Sequence, residues 1–186
     1  MKIWELKASL DERFETLQLV NFDKDYEQYF KDKFNTTNPL LEIWGDVKVF
    51  TLDEGESSDC PYFWGYSAAP VFSERALGLT KDFLRGKAET LPLVHPVNKY
   101  FAIHVLNTID AIDYDRAVIR QLETGLRVGM DKYAFIPEKI EGQHIFRIYI
   151  DDRVRSMVFV SDEFKKLVES NKLVGFEFIE VWDSNC

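Results

Sequence analysis

The chain has 186 residues, 46% of them hydrophobic and 15% aromatic, enough length and apolar content to build a core without a metal or a disulfide framework. Its 23 basic and 32 acidic residues leave a formal net charge of −9, which argues against nucleic acid and anionic membranes as partners and is compatible with a basic protein. The two cysteines, Cys60 and Cys186, are too few for a disulfide scaffold and are read as reduced thiols.

Met1 to Lys7 alternates like a strand and lacks an apolar signal region. No apolar run reaches membrane-spanning length, so the expected location is cytoplasmic. Ile3 to Ala8 and Thr16 to Phe22 read as strands, and Asp25 to Phe34 as a helix with Tyr26, Tyr29, Phe30 and Phe34 on one face. The turn-forming Asn35-Thr36-Thr37-Asn38-Pro39 ends it. Val47 to Leu52 reads as a strand. An acidic loop, Asp53 to Asp59, then runs into the aromatic stretch Tyr62-Phe63-Trp64-Gly65-Tyr66. This region is the candidate division within a single domain 1–186, between an N-terminal subdomain 1–59 and the region 60–183.

The next segment is used twice. Val71-Phe72-Ser73-Glu74-Arg75 and Val160-Ser161-Asp162-Glu163-Phe164 each bring an apolar run to a serine, acidic residues and a helix-period pattern. The serines suit helix N-caps, and the acids suit the positive end of the helix dipole. Ala76, Leu79 and Thr80 in the first copy share their offsets with Phe164, Leu167 and Val168 in the second, which predicts a buried stripe. Gly86 and Asn171 are expected to end the helices in the left-handed conformation, the second about one turn shorter. Strands follow at Thr90 to Val94 and Phe176 to Val181. Either an internal duplication or the commonness of serine caps accounts for the likeness.

Tyr100 to Leu106 is apolar at both parities, as a strand buried on both faces is. Thr124-Gly125 connects a hairpin of Val118 to Glu123 and Arg127 to Pro137, and Ile145 to Ile150 is a further strand. Strands outnumber helices without alternating regularly with them, so the fold class is α+β, a largely antiparallel or mixed sheet covered by a few helices.

No residue pattern names a reaction. Asp110, Asp113 and Asp115 are the best candidate for a hard-cation or acid/base site, but they lack the glycine and late glutamate of a calcium loop. A solvated turn explains them as well. His95, His104 and His144 form no metal-binding spacing, and His104, inside an apolar strand, reads as a hydrogen-bonded core residue. The nucleophile elbow and phosphate-binding glycine loops are absent. The aromatic run from Tyr62 to Tyr66 beside the acidic loop suits either a binding hot spot or a completed core.

Pro70-Val71-Phe72-Ser73-Glu74-Arg75-Ala76, Leu91-Pro92-Leu93, Tyr100 to Leu106 with Asp110-Ala111-Ile112-Asp113, Ile145-Phe146-Arg147, Val160 to Phe164, and Leu173 to Phe178 with Glu180-Val181-Trp182 stand in a fixed order. This ordered set, over roughly residues 60 to 183, resembles the immunity proteins of bacterial polymorphic toxin systems that carry a P-x-F-S-E-R-A signature. The resemblance implies a cytoplasmic, non-catalytic protein without cofactor or metal that binds and neutralises a cognate toxin. The residues expected to meet that partner, basic by charge complementarity, are Asp53, Glu54, Glu56 and Asp59 with Tyr62 and Trp64, and Glu74 and Arg75 of the signature. The alternatives are a metal-dependent hydrolase using Asp110, Asp113 and Asp115, and a non-enzymatic ligand- or protein-binding module.

Overall fold

Residues 1–66, 68–125 and 127–185 are described in a computed structural model; Cys186 lies outside them. Strand β1 (Lys2–Ala8) and strand β2 (Thr16–Leu19) form where the alternation predicts. The second is shorter than expected because Phe22 already opens a helical turn, α1 (Phe22–Asp25). The helix expected over residues 25–34 is instead a π-helical turn, Tyr26–Phe30. Widening the turn seats bulky rings rather than a regular 3.6-residue stripe. Phe30 packs within 5.6 Å of Phe34, Trp44, Phe63 and Tyr66. A 3₁₀ turn (Leu41–Ile43) leads to β3 (Val49–Asp53), and β4 (Tyr62–Phe63) comes from the aromatic run.

The twice-used segment gives β5 (Val71–Ser73), α2 (Glu74–Leu84) and β6 (Ala88–Val94). Strand β7 (Lys99–Val105) and the short β8 (Thr108–Ile109) follow. The hairpin pairs β9 (Val118–Gln121) with β10 (Arg127–Lys132), ending five residues before Pro137. A single helical turn, α3 (Pro137–Ile140), then leads to β11 (Ile145–Ile150) and β12 (Arg153–Val154). The second copy, β13 (Val158–Ser161), α4 (Asp162–Ser170) and β14 (Phe176–Asp183), comes last. The class is α+β.

Both serines cap their helices. Ser73 Oγ accepts from the Ala76 N–H at 3.1 Å and Ser161 Oγ from the Phe164 N–H at 3.3 Å. The helices are 11 and 9 residues long, so the second is shorter by two residues rather than a full turn. The third and seventh positions after each serine are buried, but the sixth is not: Leu79 is 37% exposed. At 3.6 residues per turn the sixth position lies about 100° from the seventh, off the stripe; Leu77, Phe83 and Leu84 complete the first stripe instead. Gly86 takes the expected positive φ, +68°, but Asn171 does not, at −90°. Lys172 holds the left-handed turn at φ +52°, with Leu173 N–H donating to Val168 O and Lys172 N–H to Glu169 O. Asn171 caps with its side chain, Nδ2 donating to Leu167 O at 2.8 Å.

The two copies share more than a helix. Strands β5 and β6 both pair antiparallel with β7, which lies between them. Likewise β13 and β14 both pair antiparallel with β1. Each copy is therefore a split strand-helix-strand unit, with two parallel strands separated by a third. In the second copy that third strand comes from the opposite end of the chain. Strand β11 extends the larger sheet beyond β13, holding β12 on the same edge as β13 and β8 on the other. Strands β3, β2 and β4 form a small sheet of their own.

Period-two alternation then sorts the core into three clusters. Phe101, Ile103 and Val105 of β7 face α2 and α4, as do Leu6 of β1 and Val158 and Val160 of β13. Tyr100 and Ala102 face the N-terminal layer of Leu17, Phe30, Phe34 and Phe63. Ile3, Phe159, Phe146 and Trp182 face Met130, Phe135 and Ile140. The strand expected over residues 100–106 is central to its sheet and buried on both faces, but it runs from Lys99 to Val105, and Leu106 lies past its end.

Candidate partner-binding surface

Asp59 sits at the join of the two units and is only 7% exposed. Its Oδ1 accepts from Ser73 Oγ at 2.7 Å, and its Oδ2 from Arg75 Nη1 at 2.9 Å and the Val174 N–H at 3.1 Å. Arg75 Nη2 also donates to Asn171 O, at the end of α4. Cations there complement the negative end of a helix dipole. Serine and arginine of the signature thus clamp α2, α4 and the acidic loop together. Glu74 pairs outside this clamp with Lys99, at 2.7 Å. Beneath, the buried Cys60 thiol has its pKa pushed up by desolvation and by the Asp59 charge.

The other expected surface residues separate. Trp64 is 46% exposed but lies against Phe22, ring centroids 5.8 Å apart. Phe63 is buried, so the aromatic run serves both core and surface. Glu54 and Glu56 are exposed, and Glu56 is tied by its backbone to Arg13 O and the Glu15 N–H. Gly55 permits this approach: a Cβ there would fall 2.6 Å from the Phe14 backbone.

Asp53 and Tyr62 come together in a groove. One cleft of about 380 Å³ runs over β1 and β13 and is floored by Phe63, Ala69, Pro70, Met157 and Val158. A second of about 400 Å³ is walled by Asp11, Glu12, Phe14, Thr16 and Asp53. Leu10 and Tyr62 line both. Five carboxylates border the pair, Glu5, Asp11, Glu12, Asp53 and Glu177, against the single lysine Lys7. Arg13 neutralises Asp11 at 2.8 Å and holds its carboxyl below the usual range. Leu10 is 71% exposed between them. Sequence reasoning missed Leu10, Glu12, Met157 and Glu177, because Leu10 and Glu12 stand far along the chain from Met157 and Glu177. The available signal was Leu10 itself, an apolar residue alone in the polar turn Ser9 to Arg13.

Two buried polar networks hold the N-terminal layer in place. Glu15 accepts from Tyr100 Oη and, at 3.2 Å, from the Ser58 N–H; burial and this carboxylate push the Tyr100 phenol up. His104 is fully buried, with Nδ1 3.1 Å from Glu89 Oε2 and Nε2 3.3 Å from Thr36 O. Burial pulls its pKa down, opposed by Glu89. Burial would raise the Glu89 carboxyl, but the Leu40 and Leu41 N–H groups and His104 together hold it low. Arg147, 2% exposed, donates to Phe34 O and Thr36 O, and burial lowers its pKa to about 10. His104 is the hydrogen-bonded core residue expected.

Asp110, Asp113 and Asp115 do not converge. Lys139 reaches the Asp110 carbonyl at 2.7 Å and its carboxylate at 3.6 Å, while Asp113 Oδ1 accepts from the Asp115 N–H. The cluster is a turn, and among the described residues no three His, Cys, Asp or Glu side chains are placed to hold a metal ion. No helix of the described residues is long and apolar enough to cross a membrane.

Comparison with curated proteins gives no match. The family model described as Immunity protein family (Imm11) matches residues 91–183. That stretch runs from β6 to the end of β14, so Pro70 to Ala76 stand ahead of the matched residues although they resemble the same group. It covers half of the 186 residues, and with it the chain belongs to the Imm11 immunity protein family.

Proposed function

We propose that this protein acts in the cytoplasm of a bacterium as the immunity partner of a polymorphic toxin, neutralising it by binding rather than by catalysis. The family match over residues 91–183 carries the reading. The net charge of −9 supports it, since an acidic surface speeds the capture of a basic partner. Of the expected contact residues, Asp53 and Tyr62 line the acidic groove, and Glu54 and Glu56 follow Asp53 in the exposed loop.

Co-expression with the toxin domain encoded beside this gene tests the proposal. The expected outcome is survival of cells that otherwise die, with a 1:1 or higher-order complex recovered by co-purification. Death despite expression of the folded protein, with no complex, overturns it for that pair.

A further inference from the structure

Resting on the immunity reading, we infer that the two clefts meeting at Leu10 and Tyr62 form one docking groove for an extended basic segment of the toxin, anchored by an apolar side chain. The occupant follows from charge and shape. The rim is acidic on both halves, with Asp53 and Glu12 on one and Glu177 and Glu5 on the other. Among the described residues no cation bonds Glu12, Asp53 or Glu177, whereas Asp11 already has Arg13 and Glu5 has Lys7 at 3.5 Å. A cationic segment supplies the missing charge. The floor is apolar, and Leu10 stands 71% exposed at the junction. An isolated leucine needs no explanation, but one set at the centre of an acid-rimmed groove has the makeup of an interface anchor. The two volumes, about 380 and 400 Å³, are each in the range that takes large side chains. A segment lying along both buries Leu10 and Tyr62 beneath it and places lysines or arginines against the two rims.

The experiment measures association and dissociation of the inactivated toxin domain encoded by the neighbouring gene. Four forms are compared: wild type, Glu12→Lys/Asp53→Lys, Leu10→Asp, and the control Asp82→Lys/Glu169→Lys. The control makes the same change in net charge on the exposed faces of the two long helices. All substituted positions are exposed; Asp53 takes one side-chain hydrogen bond from Thr16, and the control positions Asp82 and Glu169 pair only with Arg85 and Lys165, three and four residues away on the surface, so each variant is first matched to wild type in Tm. The groove charge reversal is expected to slow association roughly tenfold at low salt, with the gap closing at high salt. Leu10→Asp is expected to speed dissociation roughly tenfold, and the control to change either rate far less. If wild type binds and the groove variants bind equally well, the groove is overturned while the immunity reading stands. If the control loses as much as the groove reversal, net charge rather than this groove is responsible, and the inference is again overturned. If folded wild type does not bind, both fall together.

Discussion

At the scale of single residues, His104 shows how burial sets a titration. The groups around it are Glu89, Thr36 O, the Phe34 ring at 4.8 Å and Arg147. Burial favours the neutral imidazole, so its folded pKa lies below the unfolded value of about 6.5. Stability from neutral His104 is fully present above that value and is lost as pH falls from there toward the folded pKa. Glu89, held low, contributes in the same direction further down: its share is present above its unfolded range and lost as pH falls through its depressed value. Tm is therefore expected to drop on acidification from pH 7.5 to 5.5. His104→Gln, which cannot titrate, flattens that slope while lowering Tm overall. An identical slope in the variant would sink the assignment. The sequence marked His104 as a core residue because the strand around it is apolar. Its partners Glu89, Thr36 and Arg147 were not legible, since 15 to 68 residues separate them from it along the chain.

At the scale of elements, the serine caps were legible because capping is local: the hydroxyl reaches an N–H three residues on. What the sequence left hidden is that the two caps carry different loads. Ser161 Oγ also meets His144 Nδ1 at 2.9 Å, on a half-exposed ring. Ser73 Oγ also donates to buried Asp59. Ser161→Ala is expected to cost about 1 kcal/mol. Ser73→Ala is expected to cost about 2 kcal/mol, because it also strips a hydrogen bond from a buried carboxylate. Urea unfolding of both variants checks this, and an equal cost at the two positions would contradict the Asp59 link. The helix near residue 26 was misread because an aromatic stripe looks the same whether the turn is α or π. Only packing around Phe30 selects the wider turn.

At the scale of the whole molecule, the pairing of β1 between β13 and β14 joins the two ends of the chain. The stretch matched by the family, residues 91–183, lacks β1, β5 and α2. Without β1, neither β13 nor β14 keeps its shared neighbour in the larger sheet. Without β5 and α2, the central cluster loses Phe72, Ala76 and Leu84. A fragment of residues 91–183 is therefore expected to show no cooperative thermal transition, while the full chain unfolds in one step. A folded fragment with native-like near-UV dichroism would show the N-terminal part to be dispensable. The groove over β1 and β13 depends on the same pairing.

The sequence by itself determined what short-range physics controls: the serine-capped helices, the strand Ile145–Ile150 and, to within one residue at each end, the strand expected over 100–106, the α+β class, and the ordered residues that mark an immunity protein family. Only the tertiary structure decided which strand lies between which, that Arg75 and Asp59 form a clamp, and that Leu10, Tyr62 and Asp53 share a groove. Caps and periodicity act within a few residues, so the chain records them directly. Strand order, buried ion pairs and clefts depend on which distant segments exclude water together, and that choice is made by the free energy of the whole core.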